Sequence, residues 1–235
     1  MQVFYSEHIE GDAHVLDPEE SHHCVRVLRL RAGDALYLTD GRGLWCTARV
    51  QEAHPRATRL DIETRQEAYG QRPFRLHMAI APTRQIDRFQ WFLEKATECG
   101  TDEITPVFCH QSERRIIKPG RLQKLMVSAM KQSMRAYLPR LNPAVEFRDF
   151  LAQDLPTQAY MAHCGSGERS SLQASFRSGQ DVVFLVGPEG DFSSGEVDAA
   201  LARGFTPITL GTHRLRTETA ALALCIQANT LNGFL

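Results

Sequence analysis

The stretch DVVFLVGPEGDFSSGE, residues 181–196, decides the fold. Its first half is a short, unbroken apolar run, which predicts a strand buried on both faces. The run stops at the turn Gly187-Pro188-Glu189-Gly190. Ser193-Ser194-Gly195-Glu196 then matches a capping box, with Ser193 as N-cap and Glu196 at the third helical position. A strand, a glycine turn and a helix make the unit from which parallel sheets are built. Glycines at the carboxyl end of such a strand let backbone amides approach a ligand closely. Taken alone, the same turn also serves as an ordinary strand-to-helix connection.

A second unit of the same kind follows. ITLG at 208–211 reads as a strand, the loop of LGTHRLRTETA (210–220) leaves it at Gly211, and another helix begins near Thr217. Two glycine loops, each after a core strand, meet at one end of a sheet and leave one ligand-sized crevice between them. Further upstream, RLHMAIA (75–81), EITPVF (103–108) and QAYMAH (158–163) read as strands. Ile86, Phe89, Leu93 and Ala96 repeat at helical spacing, and Gly100 closes that helix. Residues 119–137 read as helical. Residues 217–232 form a closing apolar helix, with Leu222, Ala223 and Ile226 expected toward the core. The alternation predicts an α/β domain over 71–235 with a mostly parallel sheet.

Residues 1–70 read differently, as a small β-barrel domain. DALYLTD (34–40) and LWCTARVQEA (44–53) are strands around an Asp40-Gly41 turn, and ATRLDIET (57–64) alternates apolar and polar positions. A helix is expected from about Glu19 to Arg29, with Asp17 as its cap and Pro18 in its first turn. EAYGQRP (67–73) is the linker.

Apolar residues make up 43% of the 235 and charged residues 23%, a globular balance that needs no disulfide or metal support. No run approaches the roughly 20 apolar residues of a membrane span, and the N-terminus carries no secretory signal. Six cysteines are scattered without a CxxC, as expected of reduced thiols in a cytoplasmic protein. Cys109-His110 and His163-Cys164 lack metal-ligand spacing, so no metal is expected. The net charge is −1, yet eight basic residues fall between Arg114 and Arg140 with no Asp or Glu among them. HHCVRVLRLR (22–31) is a second acid-free cluster, in which His22, Arg26 and Arg29 lie at i, i+4 and i+7. Local patches of this kind are the footprint of a nucleic-acid backbone; a solvated helix face is the competing reading.

There is no GxGxxG, no GxxxxGK[ST], no GxSxG and no kinase motif, which speaks against a dinucleotide site and a nucleotide-dependent hydrolase. GPEGDFSSGE and LGTHRLRTETA instead resemble the two cofactor loops of the SPOUT methyltransferases, and within them the RsmE family. HHCVRVLRLRAGD (22–34), FLEKATECGTDEITPV (92–107) and SERR…QSMRAYLP (112–139) resemble further signatures of that family. The chain departs from the pattern at Asp191, where glycine is usual, at Cys99 and Thr101, where Leu and Val are usual, and at Lys131, where Glu is common.

The resemblance implies a small N-terminal PUA-like β-barrel that binds RNA and a C-terminal α/β domain with a deep trefoil knot. It also implies a homodimer, S-adenosyl-L-methionine as cofactor, and methylation of N3 of a uridine in 16S ribosomal RNA of the small subunit. Leu185, Gly187, Pro188, Glu189 and Gly190 would then hold the cofactor from the first loop. Leu210, Gly211, Leu215, Arg216 and Thr217 would hold it from the second. The uridine must lose its N3 proton, and a fixed cation would stabilise the charge that spreads onto its carbonyl oxygens. Arg135 and Arg216 are the cationic candidates; Glu189 and Glu218 are the carboxylates near the crevice, Glu218 with a competing place at a helix N-terminus. Arg114, Arg115, Arg121 and Lys124, with His22, Arg26 and Arg29, are the RNA-binding candidates. Two alternatives remain open: an enzyme of this fold acting on another RNA or position, and a non-catalytic RNA-binding assembly factor.

Overall fold

A computed structural model describes residues 2–165 and 169–235. By contacts the chain divides into two units, one of residues 1–71 with 127–138, the other of residues 72–126 with 139–235.

In the first unit, β1 (Val3–Tyr5), β2 (Ala13–Val15), β3 (Ala35–Thr39), β4 (Trp45–Glu52) and β5 (Arg59–Gln66) form one sheet in the order β1-β3-β4-β5-β2. The long strands pair antiparallel and β1 joins parallel to β3. Phe4, Leu36, Leu38 and Leu60 are fully buried in its core. The first helix, α1 (Pro18–His22), starts as its sequence predicts: Asp17 accepts from the Glu20 N–H at 2.8 Å, and proline occupies the first turn. It does not run on to Arg29. A π-turn covers His23–Val27, Leu28 N–H donates to His23 C=O, and Arg29 is left-handed at φ +57°. His22, Arg26 and Arg29 are all exposed, but they do not share one helical face.

In the second unit, β6 (Leu76–Ile80) is followed by α2 (Ile86–Cys99) and β7 (Glu103–Phe108). Gly100 closes α2 in the left-handed conformation. Next come α3 (Pro119–Gln132), whose residues from 127 on belong to the first unit, then β8 (Arg140–Leu141), β9 (Val145–Glu146), α4 (Phe147–Leu151) and β10 (Gln158–Ala162). The chain then forms β11 (Ser170–Ser171), α5 (Leu172–Ser175), β12 (Val182–Val186), α6 (Ser194–Ala202), β13 (Thr206–Thr209) and α7 (Thr217–Leu231). The sheet runs β11-β13-β10-β12-β6-β7-β8, with β9 also on β7, and every pairing is parallel. Val183 and Leu185 pack on one face with Phe147, Phe150 and Ala200 of α4 and α6. On the sheet, α7 packs against β6 and β12, and it also packs on α2.

Two helix expectations are corrected. α3 stops at Gln132 rather than at 137, because Met134 turns left-handed at φ +58° and Arg135 N–H caps back onto Met130 C=O. On α7 the buried face is Thr217, Glu218, Ala221, Leu224, Cys225, Ala228 and Asn229. Leu222 and Ala223 are half-buried and Ile226 is 42% exposed. The helix is apolar nearly all round, so its periodicity does not select a face.

A polar chain, buried at His77 and Thr105, links β6 and β7. His77 Nε2 meets Thr105 Oγ1 at 2.7 Å, and Asn142 Nδ2 donates to Thr105 Oγ1 and Glu103 Oε1, both at 2.7 Å. Burial pulls the His77 imidazole below its usual value, opposed by Glu103 and reinforced by Arg75 and Arg140. The unfolded chain therefore binds a proton more readily at this site. Its contribution to stability is complete above the unfolded value, about 6.5, and is lost as pH falls from there through the folded value. In urea titrations from pH 7.5 to 5, His77→Gln should lose less stability than the parent over the acid half. Parallel curves would show that His77 does not drive the loss.

Candidate functional site

At the carboxyl end of β12 and β13 lies a crevice of about 450 Å³, within the range of small-molecule sites. From the first loop Gly187, Pro188, Glu189 and Gly190 line it; from the second, Leu210, Gly211, Leu215, Arg216 and Thr217. The two loops are tied directly: Thr217 Oγ1 donates to Gly187 C=O at 3.0 Å. Both halves of the capping box are formed, Glu196 N–H to Ser193 Oγ and Ser193 N–H to Glu196 Oε2, which fixes where α6 begins. Glu196 also accepts from His110 N–H at 2.7 Å, drawing the loop after β7 onto the first glycine loop.

The glycines have different reasons. A Cβ on Gly187 would sit 3.0–3.2 Å from the buried Phe192 ring. One on Gly190 would lie 2.9 Å from Gln111 Oε1. Gly211 has open space around it but a φ of +122°, which L side chains rarely adopt. Asp191 is itself left-handed at φ +66°, a conformation that asparagine and aspartate tolerate. Its Oδ2 accepts from Cys164 N–H at 2.8 Å, clasping the end of β10 to the first loop.

Leu185 stands apart from the other candidates. Alternation along β12 turns its side chain into the core beside Val183, and it does not line the crevice. Glu189 is exposed, and its Oε1 accepts from Arg84 N–H at 3.0 Å. Arg216 is the N-cap residue of α7, exposed and without an ion pair among the described residues; α7 carries no side-chain cap. Glu218 is buried, with Oε1 3.9 Å from Arg88 Nε and Oε2 without a hydrogen-bond partner among the described residues.

The basic run is less bare in space than in sequence. Arg115 pairs with Glu146 at 2.7 Å and lies over the Phe108 ring, and Lys131 pairs with Glu20. Arg114 Nε donates to Arg84 C=O at 3.0 Å. Arg121 and Lys124 are exposed on α3. Arg135 belongs to the first unit, after α3, as do His22, Arg26 and Arg29.

Sequence reasoning missed the third wall, formed by Ala162, His163, Cys164 and Arg169. Arg169 donates to His163 C=O at 2.7 Å. Burial lowers the His163 imidazole below its usual value, with Asp191 opposing. The signal was available: QAYMAH is a third parallel strand, so its carboxyl end must open at the same edge. Backbone-lined turns, apolar contacts from Pro188, Leu210 and Leu215, and a cation at an uncapped helix start suit a ligand with an apolar body and an anionic end.

The RNA methyltransferase domain family matches residues 70–229, and the RNA methyltransferase PUA domain family matches residues 16–63. The fold superposes on a probable rRNA-methyltransferase from Porphyromonas gingivalis with a TM-score of 0.91, at 38% identity over 99% of both chains. It superposes on the ribosomal RNA small subunit methyltransferase E of Neisseria gonorrhoeae, bound to S-adenosyl methionine, with a TM-score of 0.85, at 29% identity over 98% of both. The Bacillus subtilis enzyme of the same name is 28% identical over 92% of this chain and 90% of its own length. With a three-walled crevice at the sheet edge and matches along nearly its whole length, the chain belongs to the RNA methyltransferase family, in the branch of ribosomal RNA small subunit methyltransferase E.

Proposed function

We propose that the protein uses S-adenosyl-L-methionine to methylate N3 of a specific uridine in 16S ribosomal RNA. The observation that carries this reading is the crevice between two interlocked glycine loops, with Pro188, Leu210 and Leu215 in its lining and, on its wall, Arg216, which makes no ion pair among the described residues. Gly187, Gly190 and Gly211 give the donor its close backbone approach, and Pro188, Leu210 and Leu215 its apolar contacts. Bound there, S-adenosylmethionine supplies a methyl group already activated by its sulfonium.

The chain's own residues must place the base and manage its proton. Arg216 faces the crevice and stabilises negative charge on a uracil carbonyl oxygen; Arg135 is the second cationic candidate. Glu189 spends one oxygen on Arg84 N–H, which makes it a brace for the loop after β6, and keeps the other for a proton. N3 lies on the Watson–Crick edge, so the target uridine is unpaired or extruded. Arg114, Arg115, Arg121 and Lys124 contact phosphates from the methyltransferase domain over 71–235, and His22, Arg26 and Arg29 from the RNA-binding domain over 1–70.

The same reading includes the trefoil knot, a cytoplasmic location and a homodimer. A dimer is supported by Ile226 of α7 and Trp91 of α2, each 42% exposed on helices that pack together. No helix among the described residues is long and apolar enough to cross a membrane.

Small-subunit RNA from a strain lacking the gene, incubated with the protein and labelled cofactor, should yield 3-methyluridine at one position after digestion and mass analysis. Label on another base or ring atom would move the protein to a different target. Retained RNA binding with no label at all would make it a non-catalytic factor.

A further inference from the structure

A second hollow, of about 200 Å³, shares no lining residue with the crevice. It opens between the start of α2 and the segment leading into α3. Ile86, Ile117 and Leu122 give it an aliphatic lining, Arg114, Lys118 and Arg121 line it as well, and Gln90 offers an amide. No carboxylate lines it among the described residues. Lys118 and Arg121 make no ion pair among the described residues, unlike Arg115 and Lys131 of the same run. Ile116, also lining the hollow, is 77% exposed, an unusual cost for a large aliphatic side chain with nothing to cover it.

The hollow is two hydrogen bonds from the crevice wall. Arg114 Nε holds Arg84 C=O at 3.0 Å, and Arg84 N–H is held by Glu189 Oε1 at 3.0 Å. Glu189 lines the crevice.

We infer that this hollow takes the base and phosphate of an unpaired RNA nucleotide next to the one being methylated. The chemistry matches part by part. A splayed base has two apolar faces, which aliphatic side chains and a planar guanidinium cover. Its edge offers donors and acceptors that an amide such as Gln90 satisfies with either end. Its phosphate needs cations not already neutralised, which Lys118 and Arg121 supply. Arg114, Arg84 and Glu189 link the hollow to the crevice wall, the placement a neighbouring nucleotide needs. An acidic protein segment would use the same cations but has no flat group for the aliphatic lining. This inference rests on the RNA-methylating reading above and adds to it a second nucleotide contact.

The test uses the full chain and two labelled probes of about eight residues: a uridine oligonucleotide, and a ribose-phosphate chain of equal length without bases. Lys118→Ala combined with Arg121→Ala should weaken both probes by about tenfold and flatten the salt dependence by about two phosphates. Ile116→Ser removes an exposed side chain, so folding is spared. It should weaken the uridine oligonucleotide by about fivefold, in line with base-stacking losses, and leave the base-free chain unchanged. Cofactor binding by calorimetry should be unaffected in both variants. Equal behaviour of the two probes with Ile116→Ser overturns base recognition, as does displacement of the oligonucleotide by polyglutamate at matching concentration. Ribosomal RNA methylation separates the two failures: transfer with an unchanged KM for RNA in the double variant sinks the hollow alone. Absence of transfer by the parent protein sinks the enzymatic reading.

Discussion

Gly211→Val should weaken S-adenosylmethionine binding by about 10–100-fold, the equivalent of roughly 1–3 kcal/mol of backbone strain. The loss is conformational rather than steric. Among the described residues no heavy atom lies within 4 Å of a Cβ built at Gly211, so the branch point of the new side chain meets no obstacle. The φ of +122° is the obstacle, since a β-branched residue there must rotate the backbone. Rotation moves Leu210 and the 213–216 segment, which together form one wall of the crevice. Gly190→Val provides the contrast. Its φ carries no such strain, and its Cβ meets the Gln111 side chain along its length, from Oε1 at 2.9 Å to Cβ at 3.1 Å, so its loss is steric and comes with a shift of the loop after β7. Calorimetry on the three proteins decides it. Gly211→Val binding as tightly as the parent would remove the second loop from the cofactor site.

How much of this was legible depends on what each signal encodes. The β12 strand and the start of α6 were readable because an apolar run and a capping box are local, and both capping hydrogen bonds form. The buried face of α7 was not, because a helix apolar on all sides carries no periodic contrast. The short strands β1 and β2 have three residues each and gain their identity only from partners far along the chain. The acid-free run from Arg114 to Arg140 was real in sequence but misleading in charge, since Glu146 and Glu20 arrive from elsewhere to pair with Arg115 and Lys131. Lys131, at a position where the family resemblance leads one to expect Glu, is held by Glu20 rather than left on the surface. Asp191 resolves similarly. Its left-handed backbone explains why glycine suits the position, and its carboxylate, unavailable to glycine, ties the loop to Cys164. His163 and Cys164 were weighed only as metal ligands, and Arg169 not at all, because no capping box marks the chain after β10; the parallel topology is what places them at the site.

Arg216→Ala should lower turnover by about 10²–10³-fold at saturating RNA, the scale of losing one donor to a developing oxyanion. Arg216 is the N-cap residue of α7, where helix N–H groups already favour negative charge and no side chain caps them. A guanidinium there, on the crevice wall and without a carboxylate partner among the described residues, keeps its charge for a ligand. If it acts on the uracil anion, removing it makes N3 deprotonation harder, so the rate profile should shift to higher pH and part of the lost rate should return in alkali. Arg216→Lys should recover more than alanine does, since a positive charge remains, but less than the parent, since the planar fork is gone. A purely structural role would lower rate evenly at all pH values and show in thermal stability. Arg135→Ala is the comparison. Full turnover by Arg216→Ala together with a large loss in Arg135→Ala would transfer the charge-stabilising role to Arg135 and leave Arg216 as a cofactor contact.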